Sequence, residues 1–222
     1  MALSGYTVRM IVRWPEEIYS YITEHTQFDD ALLREMEKRA EGDGFPIIGP
    51  LVGPWLYFLS VVSRASRIYE MGSGYGYSTW YFARALADMG GGTVTHVVWD
   101  EELSAEARGW LERAGLLPCC EFIVSEAVLA LSSEKPGFDL VFLDIDKEAY
   151  PSALEVIEQK LRPGGLLLVD NVLRSGTVVH TEGLNAASKA VCRFNDLLRD
   201  SPRWDYLINP LRDGLGVARL RE

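Results

Sequence analysis

The sequence is poor in cysteine, in long apolar runs and in positive charge. Its three cysteines, Cys119, Cys120 and Cys192, show no CxxC spacing, so we expect free thiols in a reducing compartment rather than disulfides or a zinc cluster. No apolar run approaches the roughly 18 residues that a membrane span needs. Charges in the N-terminal segment interrupt the apolar stretch that a signal peptide requires. We therefore expect a soluble, cytoplasmic protein.

Basic residues are outnumbered by acidic ones, 22 against 32, which gives a net charge of −10. Such a surface repels phosphate groups, so we expect no general binding to nucleic acid or to anionic membranes. The remaining composition is that of a globular chain, because 48% of the 222 residues are hydrophobic. No repeat, low-complexity tract or linker divides the sequence, which predicts one domain over residues 1–222.

The residue pattern changes near residue 60. Residues 1–60 are predicted to be helical, with helices over 16–26 and 29–41, Asp29 or Asp30 as a cap, and Pro54 in the first turn of a third helix.

From residue 65 onward, apolar strands alternate with helices. We predict strands over residues 67–71, 93–99, 120–124, 138–144 and 164–170, a helix closed by Pro163-Gly164, a helix over 185–199, and a terminal hairpin that turns at Asp213-Gly214. This alternation predicts a mostly parallel sheet with helices on both faces.

Ligands bind such sheets at the carboxyl ends of the strands. The first predicted strand ends in Glu70, followed by the glycine-rich turn GSGYGYS from Gly72 to Ser78 and then by a helix. Glycines, including Gly74, allow a tight turn and a close approach of a ligand, and free N–H groups at a helix start suit an anionic group. A carboxylate at Glu70 disfavours a pyrophosphate and favours a ligand with a cationic amine, such as S-adenosylmethionine (SAM), whose carboxylate Ser78 could bind. The alternative is a tight structural turn with no ligand.

Hard oxygen donors follow the fourth and fifth strands. Asp144 ends the fourth strand, and Asp170 and Asn171 end the fifth. Carboxylate and amide oxygens suit Mg²⁺, although each aspartate alone is equally typical of a turn or a helix cap. Lys147 would lie beside the cation, where a neighbouring positive charge and partial burial favour a neutral amine that can act as a general base. The alternative for Lys147 is a solvated residue at a helix start.

Together, the segments EMGSGYGYST, FLDIDKEAY, LRPGGLLLVDNVLRSG and PLRDGLGVA resemble the cation-dependent O-methyltransferases, which include the catechol and caffeoyl-CoA enzymes. FPIIGPLVGPWL resembles the segment before the first strand in the prokaryotic members. The resemblance extends from about residue 45 to the end. It implies a Rossmann-like class I methyltransferase fold, an α/β architecture with a seven-stranded, mostly parallel sheet, an antiparallel last strand and extra N-terminal helices.

The resemblance also implies roles for individual residues. Asp144, Asp170 and Asn171 match the metal ligands, and Lys147 matches the catalytic base. The positions that match cofactor contacts are Ile48, Glu70, Gly72, Gly74, Ser78, Trp99, Asp100, Ala127 and Asp144. The implied reaction is the Mg²⁺-dependent transfer of a methyl group from SAM to a hydroxyl of a small catechol-like acceptor. The family often forms dimers, so Trp55, Tyr57 and Phe58 could face a partner or could pack in a buried helix.

One position departs from the family pattern. Val98 stands where the second strand usually ends in an acid that holds the ribose hydroxyls of SAM. Losing such a pair typically costs about 1.5–3 kcal/mol, or roughly ten- to a hundredfold in affinity. Asp100 could substitute for the acid, and Trp99 could still stack on the adenine. Ser125-Glu126-Ala127 also replaces the more usual Gly-Asp-Ala of the adenine pocket.

Two other functions remain open at this point. Val98 favours a catalytically weakened protein that binds a ligand or partner, and a related sheet could serve a nicotinamide-dependent oxidoreductase, although Glu70 opposes a pyrophosphate. The acceptor pocket has no readable sequence pattern. Trp14, Tyr19 and Tyr21 could line it, but packing roles are expected.

Overall fold

A computed structural model describes residues 16–26, 28, 30–180 and 182–222. These residues form a seven-stranded sheet in the order β3-β2-β1-β4-β5-β7-β6. The strands are β1 Arg67–Met71, β2 Thr93–Val98, β3 Cys120–Val124, β4 Phe138–Leu143, β5 Leu161–Val169, β6 Trp204–Asn209 and β7 Leu215–Leu220. Neighbouring strands from β3 to β5 are parallel, and β7 is antiparallel to both β5 and β6. The predicted mostly parallel sheet with an antiparallel last strand is confirmed.

Helices connect the strands and precede the first of them. They are α1 Glu16–Glu24, α2 Ala31–Asp43, α3 Gly49–Ser63, α4 Tyr77–Asp88, α5 Glu101–Arg113, α6 Ala127–Ser133, α7 Tyr150–Lys160 and α8 Ala186–Asp200. Short 3₁₀ turns lie at Leu117–Cys119, Lys147–Ala149 and Arg174–Val179. Among the described residues, no helix is both long and apolar enough to cross a membrane.

The sheet has a hydrophobic core on each face, because successive strand residues point to opposite sides. On β1, Ile68 packs with the core under α2 to α5, whereas Tyr69 packs with the core under α6 to α8. Buried side chains of the helices complete the two cores, such as Phe82 of α4 on one face and Phe194 of α8 on the other. Both faces are therefore covered, and the strand ends remain as the place for a site.

The structure corrects two predicted boundaries, both at prolines. Helix α3 begins at Gly49, so Pro50 occupies the first turn and Pro54 lies inside the helix. Pro163 and Gly164 do not follow the end of a helix but lie within β5, which begins at Leu161. They fall where the pairing of β4 with β5 is irregular, and an irregular pair tolerates a residue without an N–H.

Helices α2 and α3 pack on one face of the sheet, in the same core as α4 and α5. Asp30 caps α2 by accepting a hydrogen bond from the N–H of Leu32, whereas the alternative cap, Asp29, lies outside the described residues. On α3, Trp55 and Phe58 are exposed, and the Tyr57 hydroxyl donates to Asp88. The homodimer suggested for this helix stays a prediction.

Candidate active site at the carboxyl ends of β1, β4 and β5

The pairing of β4 with β5 places Asp144 and Asp170 side by side. Leu143 pairs with Val169, so each aspartate is the first residue beyond its strand. Backbone hydrogen bonds continue the ladder to both residues: Asp144 N–H donates to Met71 and Asp170 N–H donates to Leu143. Because adjacent strands lie about 4.8 Å apart, the two carboxylates leave the sheet as neighbours.

Lys147 lies directly beside this pair. Its Nζ is 2.7 Å from Asp144 Oδ1 and 3.1 Å from the carbonyl oxygen of Ile145. The Lys147 side chain is only 13% exposed, and its Nζ lies 5.0 Å from the centre of the Tyr150 ring. The Tyr150 hydroxyl donates to the carbonyl oxygen of Asp170 at 3.0 Å. The ammonium group is thus held at the rim of the site between one carboxylate and an aromatic face.

Asp170 is the most strongly perturbed acid of the group. Burial, and secondly the negative charge of Asp144, raise the pKa of Asp170 to about 7, while Lys147 and Arg212 act in the opposite direction. Two neighbouring carboxylates at a low-dielectric strand end repel each other and favour an added positive charge. The electrostatics of this edge therefore suit a cation.

The loop after β5 presents Asn171 in an uncommon conformation. Asn171 has a φ of 58°, and Arg174, Ser175 and the facing Arg212 also have positive φ values. Hydrogen bonds from the N–H groups of Val172 and Leu173 tie this loop to the turn before β7. Strained backbone of this kind is frequent at functional sites. In the described ranges, no three His, Cys, Asp or Glu side chains lie close enough together to hold a metal ion. The predicted metal ligands, Asp144, Asp170 and Asn171, include only two carboxylates.

The turn after β1 lies next to Asp144. A Cβ on Gly72, which has a φ of 87°, would lie 2.0 Å from the carbonyl oxygen of Asp144. The Gly72 and Ser73 N–H groups both donate to the Val97 carbonyl oxygen of β2. Gly76 is the residue before α4, and its own backbone has the left-handed conformation. It has no side chain that could cap the helix, so the first turn of α4 keeps free N–H groups. Glycine is required here for packing between strand ends, and the helix start remains available to an anionic group.

Glu70 lies behind this turn and is fully buried. Its carboxylate accepts hydrogen bonds from the hydroxyls of Ser78 and Thr79, the latter at 2.5 Å. Burial raises the pKa of Glu70 to about 7, although the hydrogen bonds from Ser78, Thr79 and Ser73 oppose the shift. Thr79 also contacts His96 Nδ1 at 3.0 Å, and burial lowers the pKa of His96 to about 3. The Ser78 proton is thus directed to Glu70, which leaves backbone N–H groups as the donors for a ligand carboxylate.

Comparison with known proteins places this site in a family. Residues 23–221 match the sequence profile of the O-methyltransferase family. The chain belongs to the O-methyltransferase family. This result confirms the predicted family and enzyme class, a SAM-dependent O-methyltransferase of the catechol and caffeoyl-CoA type.

Individual relatives are similar over most of their length. A catechol O-methyltransferase of Niastella koreensis is 33% identical over 215 residues, which cover 91% of this chain and 96% of the relative. A caffeoyl-CoA O-methyltransferase of Stellaria longipes is 28% identical, covering 92% and 90%. A crystal structure of an O-methyltransferase from Bacillus cereus in complex with S-adenosylhomocysteine (SAH) has a TM-score of 0.82 and 27% identity, covering 92% of this chain and 97% of that one.

The other predicted cofactor contacts lie on both faces of the sheet. Ile48, just before α3, packs with the core under α2 to α5, whereas Ala127, in the first turn of α6, packs with the core under α6 to α8. Gly74, with a φ of 51°, lies in the β1 turn and faces Phe45, which packs against the buried Tyr75 ring.

At the end of β2 the predicted contacts differ in exposure. Val98 is the last strand residue and is only 4% exposed, whereas Trp99 is 82% exposed. Asp100 caps α5, because its Oδ1 accepts from the N–H of Leu103 at 2.9 Å. One oxygen of the acid that could substitute for the missing ribose ligand is therefore already in use.

A cavity of about 800 Å³ lies among α1, α2, the start of α3 and Arg212, which belongs to the turn before β7. Tyr19, Phe45 and Leu51 contribute to its wall, and so does Arg212, whose Nη1 donates to the carbonyl oxygen of Ile47 at 2.8 Å. Tyr21 instead stacks on His25 and is exposed, and Trp14 lies outside the described residues. Since Arg212 also acts on Asp170, it connects the cavity to the strand-end carboxylates.

Sequence reasoning missed four residues that shape the site, namely Thr79, His96, Tyr150 and Arg212. Thr79 and His96 complete the Glu70 network, and Tyr150 fixes the backbone of Asp170. Thr79 and His96 are polar residues within apolar segments, and this pattern could have indicated them. Arg212 lies within the PLRDGLGVA segment, but its electrostatic influence on Asp170 depends on the hydrogen bonds between the loop after β5 and the turn before β7.

Proposed function

We propose that this protein transfers a methyl group from SAM to one hydroxyl of a small catechol-like acceptor, in a reaction that requires Mg²⁺ or another divalent cation. The observation that carries the proposal is the juxtaposition of Lys147, Asp144 and Asp170 beside the glycine turn of β1. One basic group and two acids at adjoining strand ends provide the parts that deprotonation of a diol requires.

The β1 turn has features that fit SAM. SAM supplies the methyl group when bound, and methyl transfer needs an oxygen aligned with the sulfonium carbon. The uncapped start of α4 offers N–H donors to the amino-acid carboxylate. Glu70 is fully buried, so its influence on a ligand amine passes through Ser78 rather than through direct contact. Because Gly72 has no side chain, the β1 turn lies close to Asp144. The proposed SAM site and the proposed cation site are therefore neighbours.

The strand-end donors fit a divalent cation. Asp144, Asp170 and Asn171 would hold it, because they supply hard oxygen atoms where two carboxylates repel each other. The cation, when bound, supplies positive charge that anchors the two hydroxyls of the acceptor and lowers the pKa of the hydroxyl to be deprotonated.

Lys147 is the residue that would accept the proton. Its Nζ donates hydrogen bonds to Asp144 and to the carbonyl oxygen of Ile145. These bonds hold the Lys147 side chain in one conformation at the rim of the site. Asp144 is both the ion-pair partner of Lys147 and a proposed ligand of the cation. When the charge of Asp144 is engaged by the cation, Lys147 loses its counter-ion and would serve as the general base for the hydroxyl.

The cavity beside Arg212 is the proposed acceptor pocket. Aromatic and aliphatic side chains such as Phe45, Ile47 and Leu51 suit the ring of a catechol. Arg212 marks the side of the cavity that lies towards Asp170. The acceptor ring would therefore lie under the N-terminal helices with its hydroxyls towards the strand ends.

The test is a methylation assay with SAM and 3,4-dihydroxybenzoate, with product detection by mass spectrometry. We expect a monomethylated product with Mg²⁺, no product with excess EDTA, and recovery when Mg²⁺ is restored. A 3-hydroxybenzoate control, which has one hydroxyl, should not be methylated. Equal turnover in EDTA, or no product from a panel of catechols together with no binding of SAH at millimolar concentration, would contradict the proposal and favour a binding module.

A further inference from the structure

The end of β2 has an apolar side chain at the position where nucleotide-binding sheets of this type usually place an acid. In such folds an acidic residue roughly 20 positions after the glycine turn binds the ribose hydroxyls. Val98 takes this position as the last residue of β2, next to the β1 turn, and its side chain is nearly buried. A valine side chain cannot accept a hydrogen bond.

The backbone carbonyl groups at the end of β2 take part in the sheet. The Val97 carbonyl oxygen accepts from the N–H groups of Gly72 and Ser73, at 3.1 and 3.0 Å, which uses both of its lone pairs. The Val98 carbonyl oxygen accepts from the N–H of Ser125 at 3.0 Å. These bonds tie β1, β2 and β3 together and direct both carbonyl oxygens to the neighbouring strands.

Two nearby acids serve as helix caps. Asp100 Oδ1 accepts from Leu103 N–H at 2.9 Å at the start of α5. Glu126 uses both carboxylate oxygens to cap α6, with Oε1 at 3.0 Å from Val128 N and Oε2 at 2.6 Å from Leu129 N. Breaking a cap typically costs about 1 kcal/mol, which opposes the reorientation of either acid towards a ribose.

We infer that Val98 makes the cofactor site indifferent to the ribose hydroxyls, so that it binds adenosyl ligands lacking the 2′- or 3′-hydroxyl about as well as the parent compounds. The inference rests on the proposed binding of SAM and concerns how this chain recognises it. Affinity would then come from the β1 turn and from the contacts of the adenine, and Val98 would set the ligand specificity of the site.

The experiment compares the dissociation constants of SAH, 2′-deoxy-SAH and 3′-deoxy-SAH by isothermal titration calorimetry, a readout that needs no turnover. We expect the three values for the unmodified protein to agree within about threefold, because a lost hydrogen bond to a carboxylate would weaken binding roughly ten- to a hundredfold. Tight binding of SAH with tenfold or weaker binding of a deoxy analogue would overturn this inference and leave the proposed function standing. Failure of SAH itself to bind would overturn both.

Two variants sharpen the comparison. Val98→Asp should restore discrimination of tenfold or more against a deoxy analogue, and Val98→Asn provides an uncharged acceptor in case the buried carboxylate prevents folding. Asp100→Asn tests the one acid that could still reach the ribose, and it keeps the cap of α5 because asparagine caps helices as well as aspartate does. A tenfold loss of affinity for SAH in Asp100→Asn would show that the second oxygen of Asp100 holds the ribose, and would overturn the inference. Glu121→Gln, at an exposed residue of β3, is the matched control and should leave the affinity for SAH unchanged.

Discussion

The turn after β1 and the edge formed by β4 and β5 adjoin each other, yet they are built in opposite ways. At β1 the charged group, Glu70, is buried and satisfied by hydroxyls, and the backbone of the glycine turn forms the surface. At β4 and β5 the carboxylates themselves form the site: Asp144 is partly exposed, and burial, together with the charge of Asp144, raises the pKa of Asp170. Shape is therefore fixed at the first region, and charge is concentrated at the second.

This difference indicates how the two regions divide the reaction. In the proposed reaction the turn with its N–H donors would position SAM, while Glu70 is enclosed by the hydroxyls of Ser78 and Thr79. At the second region, two carboxylates share one lysine, so these groups can bind a cation and exchange a proton. Substitutions at the first region should thus change stability and cofactor affinity, whereas substitutions at the second should change turnover.

The largest effect is expected for Lys147→Met, which keeps the length of the side chain and removes the amine. Loss of a general base typically lowers kcat by a factor of roughly 10²–10⁴. The affinity for SAH should stay within about twofold, since Lys147 contacts the β4 edge and not the β1 turn. Steady-state kinetics and calorimetry measure the two quantities.

Lys189→Met is the matched control for this variant. Lys189 is exposed on α8, so its removal should leave kcat unchanged. If Lys147→Met retained full turnover, or if it lost affinity for SAH as severely as turnover, the division between the two regions would be wrong.

A second prediction concerns the backbone of the β1 turn. Gly72→Ala places a Cβ 2.0 Å from a backbone oxygen of Asp144 and strains a φ of 87°. We expect a loss of roughly 3 kcal/mol or more in the free energy of unfolding, measured by urea denaturation. Gly90→Ala has a similar φ of 95° but meets nothing within 4 Å, so it should lose only about 1 kcal/mol. Equal losses in both variants would show that the contact with Asp144 is unimportant.

The third prediction tests the buried charge of Glu70 through pH. Burial raises the pKa of Glu70 from 4.5 to about 7 in the folded protein. Between these values the unfolded chain has released the proton while the folded protein retains it, so stability falls as pH rises through this window and levels off above it. Glu70→Gln removes the titration. Its stability relative to the unmodified protein should rise by roughly 2–3 kcal/mol between pH 5 and pH 8.

Urea denaturation at the two pH values provides the measurement for Glu70→Gln. Glu121→Gln, at an exposed residue of β3, is the control and should show no such rise. A pH-independent difference for Glu70→Gln would mean that Glu70 is ionised throughout in the fold, contrary to the closed character of the first region.

The sequence was most informative where the periodicity of apolar residues determines the structure. The strand RIYEM and the strand CEFIV have their predicted bounds, and the strand-end aspartates lie together because parallel strands end at one edge. Segments interrupted by proline were less predictable. At Pro54 and Pro163 the sequence reads as an element boundary, but tertiary packing and an irregular strand pair accommodate both residues.

Side-chain partners at the site could not be derived from local patterns. Glu70 resembles a ligand-facing acid in the sequence, but hydroxyls from α4 cover it completely. The charge of Arg212 acts on Asp170 because the loop after β5 is hydrogen-bonded to the turn before β7, which lies about forty positions further along the chain. Non-local pairing of this kind leaves no periodic signal in the sequence.

The proposed cation site at the edge of β4 and β5 consists of Asp144, Asp170 and Asn171. Titration of the protein with Mn²⁺, followed by electron paramagnetic resonance of the free ion, shows whether these residues bind a divalent cation. We predict one site per chain, an affinity at least tenfold weaker in Asp170→Asn, and no change in Asp146→Asn, whose exposed carboxylate lies just beyond β4. Absence of a site, or equal binding by Asp170→Asn and the unmodified protein, would contradict the proposal.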